Sequence, residues 1–490
     1  MKDFLKSIPH NFSKEEKVIL TKAFEFAKKA HAGQKRKSGK DYINHPIQAA
    51  IILGQIFPDT STLAATLMHD VPEDTPVDLK EVEKNFGKEI ADLIDGVTQL
   101  GRVRMKDSQD KYYVENLRKL FIATSHDARV ILIKLADRLH NMRTIEFIPP
   151  DKQIKIASET LEIFAPIAAR LGINYWKDEL EDLSFRIVHP KEFINIHKLL
   201  KSELEKREES IKEMQKKLVH VLKIEGIKHL EITGRVKRLY SLFNKLKKYD
   251  GEIDRVYDII ALRVITKTTA DCYSALGAIH KYFQPLPNRI KDFIANPKPN
   301  GYQSIHTTVF DKNKEVFEIQ IRTDLMHEEA DRGVAAHWFY TEGGKPDTNK
   351  KLESTWTKEL RSWQDETMDP GEYLENLKID LYRHRIFVFT PRGDIKDLPL
   401  GATPIDFAFS VHTDLGYHMM GARINGKKES IFQELEQEDV VEIIKNKQAV
   451  KISEDWLKAA KTGNARSKIK NYLNKKNKSL VERVRGLIGR

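Results

Sequence analysis

Along residues 1–200 apolar side chains recur at the three-to-four spacing of helices, as in Leu132, Leu135, Leu139 and Met142. Such spacing lays one apolar stripe along a helix, and strand-like alternation is scarce here, so this stretch reads as helical almost throughout. Residues 202–226 form a charged amphipathic helix that Gly226 can stop. From about 228 to 340 the period shortens. EITGRV, IIALRVIT, SIHTTVF and KEVFEIQIRT read as strands, interleaved with helical stretches such as KRLYSLFNKLKKY, which gives a mixed α/β domain. TEGGKPDTNKK then reads as a loop and KLESTWTKELRSWQDE as a helix, before short strands with tight N-G and R-G-D turns take over in RIFVFTPRGD, ARINGKK and DVVEIIK. These changes of period divide the chain into an all-α domain at 1–195, a mixed α/β domain at 196–340, a helical linker at 341–383, a small β-rich module at 384–446 and a basic helical tail at 447–490.

Composition narrows the class. Of 490 residues, 40% are hydrophobic and 32% charged, which excludes a mostly disordered or collagen-like chain. The single cysteine, Cys272, excludes an internal disulfide and a cysteine-built zinc site, and fits a reducing compartment. No apolar run is long enough to span a membrane and no leader pattern is present, so a soluble, cytoplasmic protein is expected. The net charge of +11 is concentrated at the end, where residues 466–490 hold nine Lys/Arg against Glu482 alone, a run that reads either as a solvated helix or as an RNA contact.

Candidate chemistry lies first in the helical domain. His69–Asp70 is an adjacent imidazole–carboxylate pair, and with His45 and Asp137 it offers two nitrogens and two carboxylates, a set suited to Mn²⁺, Fe²⁺ or Zn²⁺. Asp137, Asn141 and Thr144 are spaced i, i+4, i+7 on one helix face, opposite the apolar stripe. A second constellation lies in the α/β domain. Arg289, Lys291 and Lys298 precede Asn300–Gly301 and Tyr302, a mixture of cations, turn glycine and aromatic ring that fits a nucleotide site. Glu318, Gln320 and Arg322 alternate with Phe317, Ile319 and Ile321, and Ser304, His306 and Thr308 share a strand face, so polar rows should front a cleft.

The stretches HAGQKRKSGKDYINHP, HDVPEDT and KLADRLHNMRT resemble the HD-type hydrolase domain of the RelA/SpoT homologue family, enzymes that make and destroy the alarmone (p)ppGpp. The resemblance implies Mn²⁺ held by His45, His69, Asp70 and Asp137, with Glu73 and Asp74 handling the attacking water. It also implies substrate contacts from Arg36, Lys37, Ser38, Asn141 and Thr144. Pro72 is a less usual residue in that motif, acceptable at a helix start where its missing N–H does no harm. TGRVKRLYS, VYDIIALRVIT, PNRIKDFIANPKPNGYQSIHTTV and FEIQIRTDLMHEEADRGVAAHW are similar to the family's nucleotidyltransferase-like synthetase domain. There the resemblance implies pyrophosphate transfer from ATP to the 3′-hydroxyl of GDP or GTP. Asp258 would hold Mg²⁺, and Glu318 would be second metal ligand or general base. Arg235 and Arg263 would sandwich the adenine, Lys237, Lys291 and Lys298 would neutralise phosphates, and Tyr302 would stack on guanine. Arg289, Asn300, Gln303, His306 and Gln320 complete the implied substrate contacts, and the Arg289-Ile290-Lys291-Asp292 run is the variant carried by bifunctional members. Because Asp258 and Arg263 are five residues apart yet should serve one site, the strand is expected to begin near Ile260 or to carry a bulge between them.

RIFVFTPRGDIKDLPLGATPIDFAFSVHTDLGYHMMGARINGK resembles the β-grasp-like TGS domain, which implies contact with tRNA or the ribosome or a relay of regulation, a spacer packed on the rest of the chain being the plainer reading. Gly416-Tyr417-His418 stands where family members usually carry Gly-His-Arg. The resemblance stops short of the helical, cysteine-bearing and ACT-type domains of long members. The expected function is a bifunctional (p)ppGpp synthetase/hydrolase whose helices between 150 and 230 couple its two sites. A chain that is chiefly a hydrolase, and a tRNA- or ribosome-binding regulator with vestigial catalysis, are the alternatives.

Overall fold

The computed structural model describes residues 1–98, 109–336 and 385–474, save positions 254–255, 257, 288, 299, 334–335, 437–438, 447, 449 and 451. The expected linker helix at 341–383, and the tail from 475 onward, lie outside the described residues. The chain divides into two compact units, one formed by residues 1–99 and 127–356 and the other by 100–126 and 357–490.

The first unit begins with the expected helices: α1 (Lys2–Lys6), α2 (Lys14–Ala30), α3 (Asn44–Gly54), α4 (Thr60–Met68), α5 (Val71–Asp74), α6 (Leu79–Phe86) and α7 (Lys88–Val97). After α8 (Gln109–His126), which falls in the second unit, come α9 (Arg129–Arg143), α10 (Pro150–Glu159), α11 (Ala165–Arg170) and α12 (Asn174–Val188). The start of α2 is written locally: Ser13 and Glu16 form a reciprocal capping box. Pro72 sits in the first turn of α5, where no intrahelical N–H bond is lost. Leu132, Leu135, Leu139 and Met142 on α9 are at most 1% exposed, and α9 packs on α3, α4 and α12. Burying four such side chains contributes roughly 6–12 kcal/mol before the entropy of ordering is counted.

A 35-residue helix, α13 (Pro190–Ile224), leads into the α/β part and ends just before Gly226, whose φ of 69° is readily adopted only by glycine. There β1 (His229–Val236), α14 (Leu239–Lys248), β2 (Ile260–Thr266), α15 (Thr269–Tyr282), β3 (Gln284–Pro285), β4 (Lys291–Asp292), β5 (Ile305–Phe310), β6 (Val316–Thr323) and α16 (Asp324–Arg332) follow. The sheet runs β1-β2-β6-β5-β3, with β4 paired to β5; β2 and β6 are parallel and the other pairs antiparallel. One face is apolar. Leu262, Val264, Ile305, Ile319 and Ile321 pack against Leu218 and Leu222 of α13 and Cys272 and Ile279 of α15. The strand β2 starts at Ile260, where the spacing of Asp258 and Arg263 placed it.

The helical and α/β parts meet through side-chain bonds to backbone carbonyls and one close approach of two backbones. Asn174 Nδ2 donates to the Ala330 carbonyl (2.7 Å) and Asn300 Nδ2 to that of Ala169 (3.2 Å). At Gly333 (φ 59°) a Cβ would lie 2.1 Å from the Leu171 carbonyl oxygen, so no side chain fits.

In the second unit, β7 (Arg385–Phe389) and β8 (Ile395–Pro399) form a hairpin whose turn places Gly393 at φ 90°. α17 (Pro404–Val411) and α18 (Thr413–Tyr417) precede the sheet β10-β9-β11, with β9 (Met419–Ile424), β10 (Lys427–Glu429) and β11 (Val441–Lys445). Asn425 and Gly426, both at positive φ, make the tight turn between β9 and β10. Asp406, fully buried, accepts from the N–H groups of Thr403 (2.9 Å), Lys461 (2.8 Å) and Thr462 (2.7 Å), and so ties α17 to the segment after α19 (Glu454–Ala459). The start of the basic tail belongs to this core: Ala465 and Ile469 are fully buried beside Trp456 and Phe409. Among the described residues no helix is long and apolar enough to cross a membrane.

Gly333→Ala is therefore expected to destabilise the first unit by about 3 kcal/mol or more, through a forced backbone shift at a glycine-only conformation. Thermal melting followed by circular dichroism checks this; an unchanged melting curve would show that the contact yields freely.

Candidate functional site

In the helical part, three helices deliver one cluster. His45 is in the first turn of α3, His69 and Asp70 form the junction between α4 and α5, and Asp137 lies midway along α9. His45 Nε2 is 3.1 Å from Asp137 Oδ1 and 3.5 Å from Asp70 Oδ2, and His69 Nε2 is 3.2 Å from Asp70 Oδ1. The donor atoms of His45, His69 and Asp137 all lie within 4.8 Å of one another. His69 Nδ1 donates to the Thr66 carbonyl (2.7 Å), which leaves Nε2, buried and without a hydrogen-bond partner, facing the cluster. A buried nitrogen with no partner is costly unless something binds it. Two imidazoles and the Asp137 carboxylate converging there fit a divalent cation, with Asp70 beside both imidazoles.

The charge balance agrees. Burial acts to raise Asp137, yet Lys134, His45 and His69 hold it well below the usual carboxylate range. Burial acts to lower His69, but Asp70 and Asp137 push it up to about 9, so without a cation the site keeps a proton. Lys134 Nζ, 3.1 Å from Asp137 Oδ2, was not singled out in the sequence because it reads as an ordinary polar residue of the helix.

Around this cluster, Arg36 donates to Asn141 Oδ1 (3.0 Å) and Thr144 Oγ1 (3.5 Å), and Asn141 Nδ2 to Asp137 Oδ1 (2.6 Å). Lys37 is exposed and Ser38 half-buried on the turn after Arg36. Glu73 and Asp74 are exposed at the end of α5. Tyr42 stands between Asp74 and Asp70, its hydroxyl donating to Asp74 Oδ2 (2.5 Å) with Asp70 Oδ2 3.1 Å away. The Asp74 carbonyl accepts from Gln34 (2.7 Å), which in turn is bonded to His31 Nδ1 (2.8 Å). Tyr42, Gln34 and His140, whose Nδ1 meets His45 Nδ1 at 2.6 Å, were not picked out from the sequence. An aromatic, an amide and an uncharged imidazole carry no linear signal that separates support from packing.

The second cluster lines a cleft of about 850 Å³ on the polar face of the sheet. Register builds it. Arg263 of β2 pairs with Gln320 of β6, Gln320 with His306 of β5, and His306 with Lys291 of β4, so four polar side chains stand in one row. The next row places Arg235, Ala261, Glu318 and Thr308 side by side. Asp258, just before β2, receives the ammonium groups of Lys237 (2.6 Å) and Lys245, while its Oδ1 is buried without a partner. Burial would raise its pKa, and the two lysines outweigh that, holding it below the carboxylate range.

Glu318 Oε1 is 3.4 Å from His306 Nδ1 and accepts from Gln320 (2.9 Å); the far side of His306 meets the Tyr302 hydroxyl at 2.8 Å. Burial would raise Glu318 as well, and His306 and Gln320 keep it low. Lys298, over the rings of Phe293 (4.7 Å) and Tyr302 (4.9 Å), is pulled down to about 8 by burial, with Lys291 and Arg235 adding to the effect. Arg289 and Asn300 also line the cleft, whereas Gln303 donates to the Ile294 carbonyl (3.2 Å) and stands apart from it. Lys245, Arg238 and Arg322 are cleft residues that the sequence reading did not select as ligands. So are Asn174, Tyr175 and Asp178, which come from α12 of the helical part. In all, nine basic side chains face five carboxylates there, an excess suited to a polyanion.

Residues 23–174 match the family model described as HD domain, residues 234–345 the one described as a region found in RelA / SpoT proteins, and residues 386–445 that of the TGS domain. The chain is 44% identical over 457 residues to a GTP pyrophosphokinase of Myxococcus xanthus, a match covering 93% of this chain and 60% of that protein. It is 41% identical over 479 residues to a guanosine-3′,5′-bis(diphosphate) 3′-pyrophosphohydrolase of Aquifex aeolicus, covering 96% and 68%. With the bifunctional (p)ppGpp synthase/hydrolase SpoT of Escherichia coli it shares 41% identity over 455 residues, covering 93% and 64%. The match thus spans about 60% of the length of several of these relatives. With its HD, RelA/SpoT and TGS regions in this order and relatives of this similarity over nearly its whole length, the chain belongs to the RelA/SpoT family.

Proposed function

We propose that the chain carries two opposed activities, hydrolysis of (p)ppGpp in the helical site and its synthesis from ATP and GDP or GTP in the α/β cleft. The observation that carries this reading is the pair of complementary charge imbalances: a carboxylate–imbued imidazole cluster at His45, His69, Asp70 and Asp137, and a cleft whose cations outnumber its acids.

For hydrolysis, His45, His69, Asp70 and Asp137 would hold a divalent cation, Mn²⁺ in our assignment, whose charge offsets the phosphoryl oxygens and acidifies nearby water. Arg36, steadied by Asn141 and Thr144, reaches toward the nucleotide, and Lys37 and Ser38 follow it on the same turn. Asp74, with Glu73 beside it, takes a proton from water as its oxygen attacks the phosphorus on the 3′ oxygen. The P–O3′ bond breaks, pyrophosphate leaves, and the 3′ oxygen regains a proton.

For synthesis, Asp258 and Glu318 would hold Mg²⁺ to balance phosphate charge; the partnerless Oδ1 of Asp258 suits that role. Arg235 and Arg263 clasp the adenine, a stacking task for planar guanidinium groups. Lys237, Lys245, Lys291 and Lys298 neutralise phosphates, Tyr302 stacks on guanine, and Glu318 accepts the 3′-hydroxyl proton. That oxygen attacks the β-phosphorus of ATP, the bond to the α-phosphate oxygen breaks, and AMP leaves. Catalysis here is chiefly positioning and electrostatics. We assign the chain to the cytoplasm, and to its TGS module a contact with tRNA or the ribosome that the basic run from Arg466 supports.

Three outcomes are expected. Asp70→Ala should lower (p)ppGpp hydrolysis by at least 100-fold, on the order of 3 kcal/mol in the barrier, while synthesis persists; Glu318→Gln should do the reverse. Assays of both reactions on both variants decide this, and a variant that loses both activities, or neither, refutes the division of labour. Secondly, Lys298 carries its charge below about pH 8 and loses it above. Synthetase kcat/KM for GDP should therefore fall above that pH, and Lys298→Arg should remove the falling limb. A limb that persists in that variant means another group sets it. Thirdly, uncharged tRNA should retard the chain in a native gel, less so at high salt; no shift at low salt excludes the RNA contact.

A further inference from the structure

The ring of His45 is gripped at both edges by one helix. Asp137 and His140 are three residues apart on α9, and His45 projects between them from α3. Its Nε2 lies 3.1 Å from Asp137 Oδ1, and its Nδ1 lies 2.6 Å from His140 Nδ1, with the two rings 4.8 Å apart and inclined at 37°. His45 is 2% exposed, so water cannot readily replace either partner. We infer that His140 is a positioning residue for the hydrolase site, setting the tautomer of His45 and so presenting its Nε2 lone pair to the cation. The inference rests on the metal-site reading above.

A neutral imidazole has one N–H and one lone pair, and it ligates only through the lone pair. When Nε2 of His45 is the ligand, its proton must sit on Nδ1 and needs an acceptor at that edge. The atom there is His140 Nδ1. At His69 the same task falls to the Thr66 carbonyl, which can only accept, so His69 Nδ1 carries a proton throughout. An imidazole partner differs in that it can accept or donate. Without a cation, His45 Nε2–H can donate to Asp137 while His140 Nδ1–H donates to His45 Nδ1. With one, His45 Nδ1–H donates to His140 Nδ1, and His140 carries its proton on Nε2. Both rings hold one proton in each state, so the ion enters without leaving a buried nitrogen unpaired. His45 becomes the adjustable ligand and His69 the fixed one. Partners of this kind typically change metal affinity by 10- to 100-fold.

The test is Mn²⁺ binding to the full chain without nucleotide, followed by the paramagnetic resonance of free ion, with His69→Ala identifying the binding that belongs to this site. His140→Asn keeps an acceptor near the position of Nδ1, and His140→Phe keeps a ring without one. Expected is an affinity within about 3-fold of native for His140→Asn and a 10- to 100-fold loss for His140→Phe, with cation-free melting curves that match between the two variants. His140→Phe binding as tightly as native overturns the inference, as does His140→Asn being equally weak, which would assign the effect to ring packing. A native chain with no Mn²⁺ binding sensitive to His69→Ala brings down the metal-site reading, and this inference with it.

Discussion

Buried charge that is not balanced within the chain organises this molecule. At the junction of α3, α4 and α9, Asp70 and Asp137 are packed beside two imidazoles with His69 Nε2 facing inward and unpartnered. Two carboxylates so placed demand positive charge; Lys134 supplies part of it, and the same carboxylates raise the pKa of His69. The cleft on the sheet has the opposite problem. Lys237 and Lys245 share Asp258, while Arg263 and Arg322 keep buried Nε atoms without partners. One cluster is suited to a cation and the other to a polyanion.

What holds these unfavourable groupings in place is apolar packing behind them. The α9 stripe is sealed in the helical core, so Asp137 and His140 are turned toward His45 with little freedom. In the α/β part, alternation along β2, β5 and β6 sends Leu262, Ile319 and Ile305 into the helices and Arg263, Gln320 and His306 into the cleft. A one-residue slip in any of these strands would bury the catalytic face and expose the core. The same packing makes the two parts of the catalytic unit interdependent: Asn300, on the loop beside Tyr302, is bonded to Ala169, and Tyr175 and Asp178 of α12 form part of the cleft wall. α12 thus contributes directly to the wall of that cleft.

The linear chain by itself determined the kinds of elements and the residues that bear charge in functional patterns. The period shift at about 228 announced the change from helix to strand, and that at 384 the strands that begin at Arg385, because burial on one face imposes a spacing that sequence must obey. His45, His69, Asp70 and Asp137 could be picked out as acids and imidazoles that are costly to bury without partners, Glu318 as part of an alternating polar row, and Asp258 through the family resemblance alone. Only the tertiary structure decided which neutral groups serve them. Tyr42 across Asp70 and Asp74, Thr66 behind His69, His140 behind His45 and the α12 residues in the cleft wall are brought in by helix packing. Gln303, adjacent to Tyr302 in sequence, turns instead to Ile294. Charge and periodicity are local properties of a chain; the partner a hydrogen bond finds across 95 residues, as between His45 and His140, depends on how two helices settle against each other.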